Sequence, residues 1–518
     1  MPRAYAPLAR TRLLAPNAEQ LYITRRDLSS GENNRVDASQ ISENQTSIMQ
    51  NADIGIPGRV DKRPGINLIA DDVGTRTDAL IGYYPTGASG RLYRADGGTL
   101  RKWTGTGNWS TIATGFASGD STFIRGGESG ENEVVFFQDD SGNPQRIQSG
   151  DTFQDLGSGA TSPPKTLINH FFRNRWWALD STFLYYSDAF STDYSTAFAA
   201  ANGFRFSGFG ADRGLISVRD QELIIFMQNG IFSLAPTATP AATDKPQVLT
   251  VDHGCAERKT IQQVGDDILY LAPDGIRSLK RTIQDKLQLG VSYPLSFQLK
   301  DEFDNINWAQ VSKFHSIYFQ DKYIFWFCRT PSTTPNRAWI YWPATNGWAV
   351  ATGTFATVNA AAKWILSGEE RLYGGGQDGK VYELWVDGDD DEGTAISMSI
   401  ETREEDFQLP GIYKYGGELE VVFSAVGDYD VTVSAAIDGG DYTTLGTMNL
   451  SGGAPILPVD LPFDLESANR KLQKFHLDVL GRWRRIKFKF AQTSLNTADK
   501  IRMLEYSVAT CRDMYESE

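Results

Sequence analysis

Cysteine and histidine are scarce in this chain of 518 residues, with three cysteines at 255, 328 and 511 and four histidines at 170, 253, 315 and 476. Three scattered thiols are too few for a disulfide framework or a zinc cage, which leaves a reducing compartment, or indifference to redox, and thiols that only pack. No two histidines fall at i, i+2 or i+4, so no local metal site or catalytic base is signalled. His253 and Cys255 in "HGC" are near neighbours, but a Cys–His dyad is assembled in space and not by adjacency. Basic residues are outnumbered, 50 Lys and Arg against 64 Asp and Glu, for a net charge of −14 and a pI near 5.0. That excludes tight wrapping around nucleic acid, where affinity comes largely from Lys and Arg replacing counterions. No stretch approaches the ~20 apolar residues of a membrane span. The N-terminus, "MPRAYAPLARTRLLAPNAEQ", is interrupted by arginine and proline before it reaches the ~7–15 apolar residues of a signal-peptide centre. The expectation is a chain kept in the cytoplasm unless a larger assembly carries it out.

Glycine and aromatics are plentiful. The 49 Gly beside 28 Phe, 21 Tyr and 12 Trp point to strands and tight turns, hence an all-β protein. The length exceeds the roughly 250–300 residues at which one core stops growing, so the chain needs several units or one repeat architecture. A repeat is present: an apolar or aromatic strand, a turn rich in Asp, Asn and Gly, then a second strand. The clear copies are "RLYRADGGTLRKWTG" from Arg91, "LIIFMQNGIFSL" from Leu223, "ILYLAPDGIRSL" from Ile268 and "RLYGGGQDGKVYELW" from Arg371. Asp-Gly and Asn-Gly supply the positive φ angles of hairpin turns. Weaker copies begin at Glu133, Thr182 and Tyr323. One strand position from each, Tyr93, Phe136, Tyr185, Phe226, Tyr270, Phe325 and Tyr373, gives gaps of 43, 49, 41, 44, 55 and 48 residues. Gaps of about 40–50 residues are the period of propeller blades. Residues 66–388 are therefore expected to form a β-propeller of about seven blades, with a β-sandwich or a string of hairpins as the plainer alternative.

The acidic run "VDGDDDEG", from Val386 to Gly393, ends the repeats and reads as a solvated linker. Beyond it, Val431, Val433, Ala435 and Ile437 alternate with Thr432, Ser434 and Ala436 at period two. Residues 394–512 are expected to form a C-terminal antiparallel β-sandwich. Ahead of the repeats, residues 1–65 read as an N-terminal arm and a turn-rich connector. Its last part, "NADIGIPGRVDKRPG", carries Gly55, Gly58 and Gly65 with Pro57 and Pro64.

Motifs for chemistry are weak. "GGGQDGK" sets Gly374, Gly379 and Lys380 at phosphate-loop spacing, but Val381 stands where Ser or Thr should hold magnesium, and the loop joins two strands. Asp387, Asp389 and Asp391 alternate like calcium ligands, yet Glu392 and Met398 occupy the places that an EF-hand gives to Gly and Glu. No catalytic residue, cofactor or metal is expected. Glycosidases on propellers use two carboxylates about 5–9 Å apart, so a carbohydrate-binding or carbohydrate-active propeller is the enzyme-class alternative. The strand "GRWRRIKFKF" sets Arg482, Arg484, Arg485, Lys487 and Lys489 among Ile486, Phe488 and Phe490. Interleaved bases and aromatics can stack on single-stranded nucleic acid, whereas the plainer reading is a strand with an apolar inner and a basic outer face that docks an acidic neighbour.

The order of these parts, with "GRVDKRPG" after an N-terminal arm, resembles the nozzle, or tail tubular protein B, of short-tailed bacteriophages. Gly58, Arg59, Val60, Lys62, Arg63, Pro64 and Gly65 match that family's "GR(L/V)xKRPG" segment. The resemblance implies a virion tail component and no enzyme: a ring of six copies below portal and adaptor, in contact with tail fibre or spike. Double-stranded DNA would pass through the ring without sequence-specific binding. Arg59, Lys62 and Arg63 would clamp a neighbouring subunit or a loop of the same ring, and changing Lys62 and Arg63 to Ser would weaken assembly without unfolding the monomer.

Overall fold

The computed structural model describes residues 20–512 except 71–73, 86, 200–201, 207, 238–239, 241–243, 289–291, 387, 389, 425–428, 452–469 and 496–500. The first blade shows how the repeat folds. Thr77–Tyr83, Arg91–Asp96, Thr99–Trp103 and Ser110–Thr114 pair in chain order as an antiparallel sheet. Its central hairpin turns at Gly97 and Gly98, whose φ angles of 49° and 85° suit glycine. Three more four-stranded sheets run from Ser121–Glu128 to Phe153–Asp155, from Asn169–Phe172 to Gly203–Arg205, and from Asp212–Val218 to Gln247–Thr250. A three-stranded sheet, Gln262–Val264, Asp267–Ala272 and Gly275–Ser278, follows. The next blade spans His315–Phe319 to Gly347–Ala351. The last joins Val358–Leu366, Glu369–Gly376 and Val381–Val386 to Gly65–Leu68, so a strand from near the start of the chain completes it.

Each sheet's first strand touches the first strands of its two neighbours, and Val358–Leu366 meets Thr77–Tyr83, so the sheets close into a propeller ring. Trp103 of the first blade meets Trp364 and Tyr373 of the last, with ring centroids 5.6 and 6.0 Å apart, and seals the closure with buried aromatic area. Gly375 is required there, because a Cβ on it would lie 2.4 Å from Thr77. Among the described residues complete blades number six, slightly different from the seven hairpins in the sequence. The remaining sector is the three-stranded sheet, after which the chain turns into the helix Leu279–Gln288 in place of a fourth strand. That helix, with the short helical turns up to Lys313, accounts for the longest spacing, 55 residues between Tyr270 and Phe325.

The C-terminal part is an antiparallel sandwich. One sheet carries Lys414–Ser424 between Arg502–Arg512 and Arg470–His476. The other carries Met398–Thr402, Ile486–Gln492, Asp430–Ile437 and Thr443–Asn449. Val431, Val433 and Ala435 are fully buried, as their alternation requires.

Two expected boundaries differ from the structure. Within residues 1–65, the described part is not a free arm. Gln20–Arg25 pairs with Arg502–Arg512, Thr46–Gln50 with Met398–Thr402, and Val60–Lys62 with the start of Arg502–Arg512. Gln50 also bridges Val350, so the blade that spans His315–Phe319 to Gly347–Ala351 and one sandwich sheet form a single nine-stranded sheet. One apolar core therefore runs from Trp326, Ile340 and Trp342 through Met49, Ile54 and Val60 to Phe488, Phe490 and Tyr506. Nor is the acidic run a solvated linker throughout: Asp390–Asp391 pairs with Thr394–Ala395, and Asp391 is buried. Asp387 and Asp389 lie outside the described residues.

Candidate functional site

The segment from Asn51 to Gly65 occupies the joint between ring and sandwich. Ala52–Asp53 and Val60–Lys62 form a short hairpin, and Gly58, at φ 78°, lies in the bend between them. Strand alternation would send one of Lys62 and Arg63 outward, yet both are 0% exposed. A guanidinium carries five N–H donors. In Arg63 all five are used: Nε donates to Asn51 Oδ1 (3.0 Å), Nη1 to Pro64 O (3.0 Å) and Asp391 Oδ1 (2.9 Å), and Nη2 to Asp391 Oδ2 (2.6 Å) and Thr352 O (3.1 Å). The cation also lies 4.9 Å from the Phe355 ring centre. These contacts compensate the desolvation of a buried ion pair. Asn51 extends the network, accepting from Thr352 N and donating to Thr352 Oγ1 and Ser397 O at 2.8–2.9 Å. Gly65 has to be glycine, since a Cβ would lie 2.0 Å from Asp390 O.

Lys62 donates to Gln492 Oε1 at 2.7 Å, tying the hairpin to the sandwich strand Ile486–Gln492. Asp61 accepts from Arg59 Nε at 2.9 Å and Arg502 Nε at 2.8 Å. On the blade side, Glu32 accepts from Met49 N and Asn34 Nδ2, both at 2.9 Å, while its own N–H reaches Trp348 O. Burial pushes the Glu32 carboxyl up to about 8, against those hydrogen bonds.

These positions correct the expected clamp on a neighbouring subunit. Lys62 and Arg63 have no surface to offer, and Arg63 instead holds a loop of its own chain through Asp391. Arg59 keeps part of its side chain in solvent, beside Asp61. The second basic group is brought together elsewhere, on the outer face of the sandwich. Ile486, Phe488 and Phe490 are fully buried, so they cannot stack on bases. The strand has an apolar inner and a basic outer face. Lys487 and Lys489 stand 5.0 and 5.4 Å from the Tyr442 ring centre, and Lys489 pairs with Glu401 at 3.0 Å. Arg484 lies over Tyr413 at 4.4 Å, and Arg485 is 3.6 Å from Glu404. Arg482 and Arg484 are exposed.

The thiol of "HGC" is buried, and burial pushes Cys255 up to about 12, far from a usable thiolate. The glycine-rich "GGGQDGK" is the hairpin between the last blade's second and third strands. Sequence reasoning missed Asn51, Asp391 and Glu32. Each has a partner hundreds of residues away, Thr352 and Ser397 for Asn51, Arg63 for Asp391 and Trp348 for Glu32, and the only local signal was the unusual Lys-Arg-Pro-Gly run itself.

No protein-family model matches the chain, and no curated protein matches it. Among solved structures it is similar to virginiamycin B lyase from Staphylococcus aureus, with 9% identity over 61% of this chain and 96% of that one and a TM-score of 0.40. It is also similar to YCF48 from Cyanidioschyzon merolae, with 10% identity, 62% and 98% coverage and a TM-score of 0.36. Exo-β-1,3-galactanase from Phanerochaete chrysosporium, solved with galactose, aligns at 12% identity over 86% and 100% with a TM-score of 0.27. Likenesses at these scores carry no argument about site or activity, and the propeller assignment rests on the strand pairing above.

Proposed function

We propose that this protein is a structural subunit of a virion tail: a nozzle-type ring of six copies on the path by which a short-tailed phage ejects its genome. One observation carries the reading. The residues that match the nozzle-like segment, Lys62 to Gly65, are those that lock propeller to sandwich through a saturated buried network. A segment used in that way serves stiffness, which a conduit under ejection load needs and a ligand pocket does not. The net charge of −14 per copy is compatible with DNA sliding past without adhesion, within the screening length of about 8–10 Å. The exposed Arg482 and Arg484, with the partly exposed Arg59, Arg485, Lys487 and Lys489, are the candidate contacts for a neighbouring copy or another tail protein.

The test is the assembly state of the full chain, read by light scattering and negative-stain imaging, alone and with host-particle extract. Six-fold rings are expected, and Arg482→Ser with Arg484→Ser should shift them toward monomers while the melting temperature stays unchanged. A chain that remains monomeric at tens of micromolar under both conditions, or that releases sugar from a glycan, would overturn the reading.

A further inference from the structure

The three-stranded sheet lacks the fourth strand that completes the other blades, and irregular chain takes its place. Ser296 Oγ accepts the Ile276 N–H, on the outer strand of that sheet, at 2.9 Å. Short helical turns fill the space less fully than a strand would and leave a cavity of about 570 Å³, bordered by Arg35, Asp274, Arg277, Tyr293, Phe297 and Lys300. Arg277 Nε donates to Asp274 Oδ1 at 2.8 Å, and Lys300 pairs with Asp304. Arg35 is exposed and has no carboxylate partner among the described residues. Its guanidinium lies 3.3 Å from the Phe297 ring centre and reaches only Phe297 O, at a long 3.4 Å. With its face against the ring, its edge N–H groups are free for a planar acceptor such as a carboxylate. Tyr293, 53% exposed, stands 4.7 Å from the same Phe297 ring. The hole therefore offers an aromatic wall with an unpaired cation beside it.

A complement to it is on the third blade. Three aromatic residues among those described have positive φ: Phe190 at 45°, Trp385 at 64° and Phe407 at 58°. A bulky side chain in that region strains the backbone. Phe407 is buried and Trp385 half-buried, so packing offsets the strain at both. Phe190 is 47% exposed, and nothing within one copy offsets it to that extent. Its bend is fixed all the same, by Phe190 N–H on Asn174 O at 2.8 Å and Asp188 N–H on Ala197 O at 2.9 Å. Asp188, two residues before the ring, is exposed and has no cation partner among the described residues. The knob is thus an aromatic side chain with an unpaired carboxylate beside it, the converse of the hole.

Knob and hole also lie on opposite faces of the propeller. Phe190 sits by the turn between its blade's first and second strands, at Arg173 and Asn174. Asp274 lies in the turn between the second and third strands of its sheet, and in an antiparallel sheet these two turns are at opposite ends. A contact of this kind joins copies head to tail, which closes into a ring or runs on as a filament.

We propose that Phe190 of one copy seats in this cavity of the next copy, against Tyr293 and Phe297, with Asp188 on Arg35. The contact supplies a copy-to-copy joint for the ring proposed above and rests on that reading.

The test is sedimentation velocity of the full chain over a concentration series, with charge reversal on each side. Asp188→Lys and Arg35→Glu should each raise the midpoint concentration of assembly about tenfold or more, because like charges then meet. The two reversals in one chain restore the pair, and assembly should return to within about threefold of wild type. Phe190→Gly suits the positive φ, so the melting temperature should hold or rise while assembly weakens about tenfold. Wild-type rings that none of these substitutions moves would overturn this contact and leave the ring reading standing. A folded double variant no better assembled than its single parents would also overturn it, and if either reversal fails to fold, unchanged assembly in Phe190→Gly would do so. A wild-type chain that stays monomeric would overturn the ring reading, and this contact with it.

Discussion

Two ion pairs hold distant parts of this chain together, and they are built differently. At the joint, Arg63 and Asp391 are 328 residues apart, 0% and 3% exposed, and every guanidinium donor is matched. At the mouth of the ring, Asp120 meets Arg258 and Lys259 across the axis with all three side chains partly wet. A buried and saturated pair is costly to break because the survivor is stranded without water. A partly solvated pair loses little, because water or another anion can replace the missing partner. The joint is thus a fixed fastening, and the mouth a replaceable contact.

The largest test of that contrast is Arg63→Ala, expected to cost about 3–5 kcal/mol in urea unfolding. A loss below about 1 kcal/mol would remove the joint's special status. Glu32 comes next. In the fold it stays protonated to about pH 8, whereas the unfolded side chain ionises near 4.5. The folded state therefore holds more protons across that window, and stability falls as pH rises from about 4.5 to about 8, by up to about 1.4 kcal/mol per pH unit. Glu32→Gln should flatten that contribution, and the difference between the two curves isolates it. Asp120→Asn at the mouth should cost about 1 kcal/mol or less and lose most of that in high salt. Lys489→Met on the outer strip is the smallest, about 0.5 kcal/mol, since it removes one part-exposed pair with Glu401.

The same contrast separates what local pattern could reveal from what it could not. Six of the seven strand positions picked out by aromatic-turn spacing lie on the second strand of their sheets. Tyr185 lies one strand later, in Phe183–Tyr186. Hairpin turns and period-two alternation are local, so Asp-Gly and Asn-Gly dipeptides announce them. Asp391 is the opposite case. In "DGDDDEG" it looks like any solvated acid, and only Arg63, far back in the chain, makes it an interior residue. Likewise Arg63 and Lys62 look like surface cations because burial of a charge depends on partners that sequence spacing does not name. The basic strand Ile486–Gln492 was legible as an amphipathic strand, since its alternation alone decides which face is inside. The order of the parts was readable too, but not the return of Gly65–Leu68 into the last blade, which needs the ring to exist before it has a place.

The central claim is that ring and sandwich are one mechanical body, joined by a shared core and by Arg63. Scanning calorimetry of the wild-type chain beside Arg63→Ala tests it most directly. A single cooperative transition is expected for the wild type, splitting into two in the variant as the joint loosens. Two separate transitions already present in the wild type, unmoved by the substitution, would contradict it.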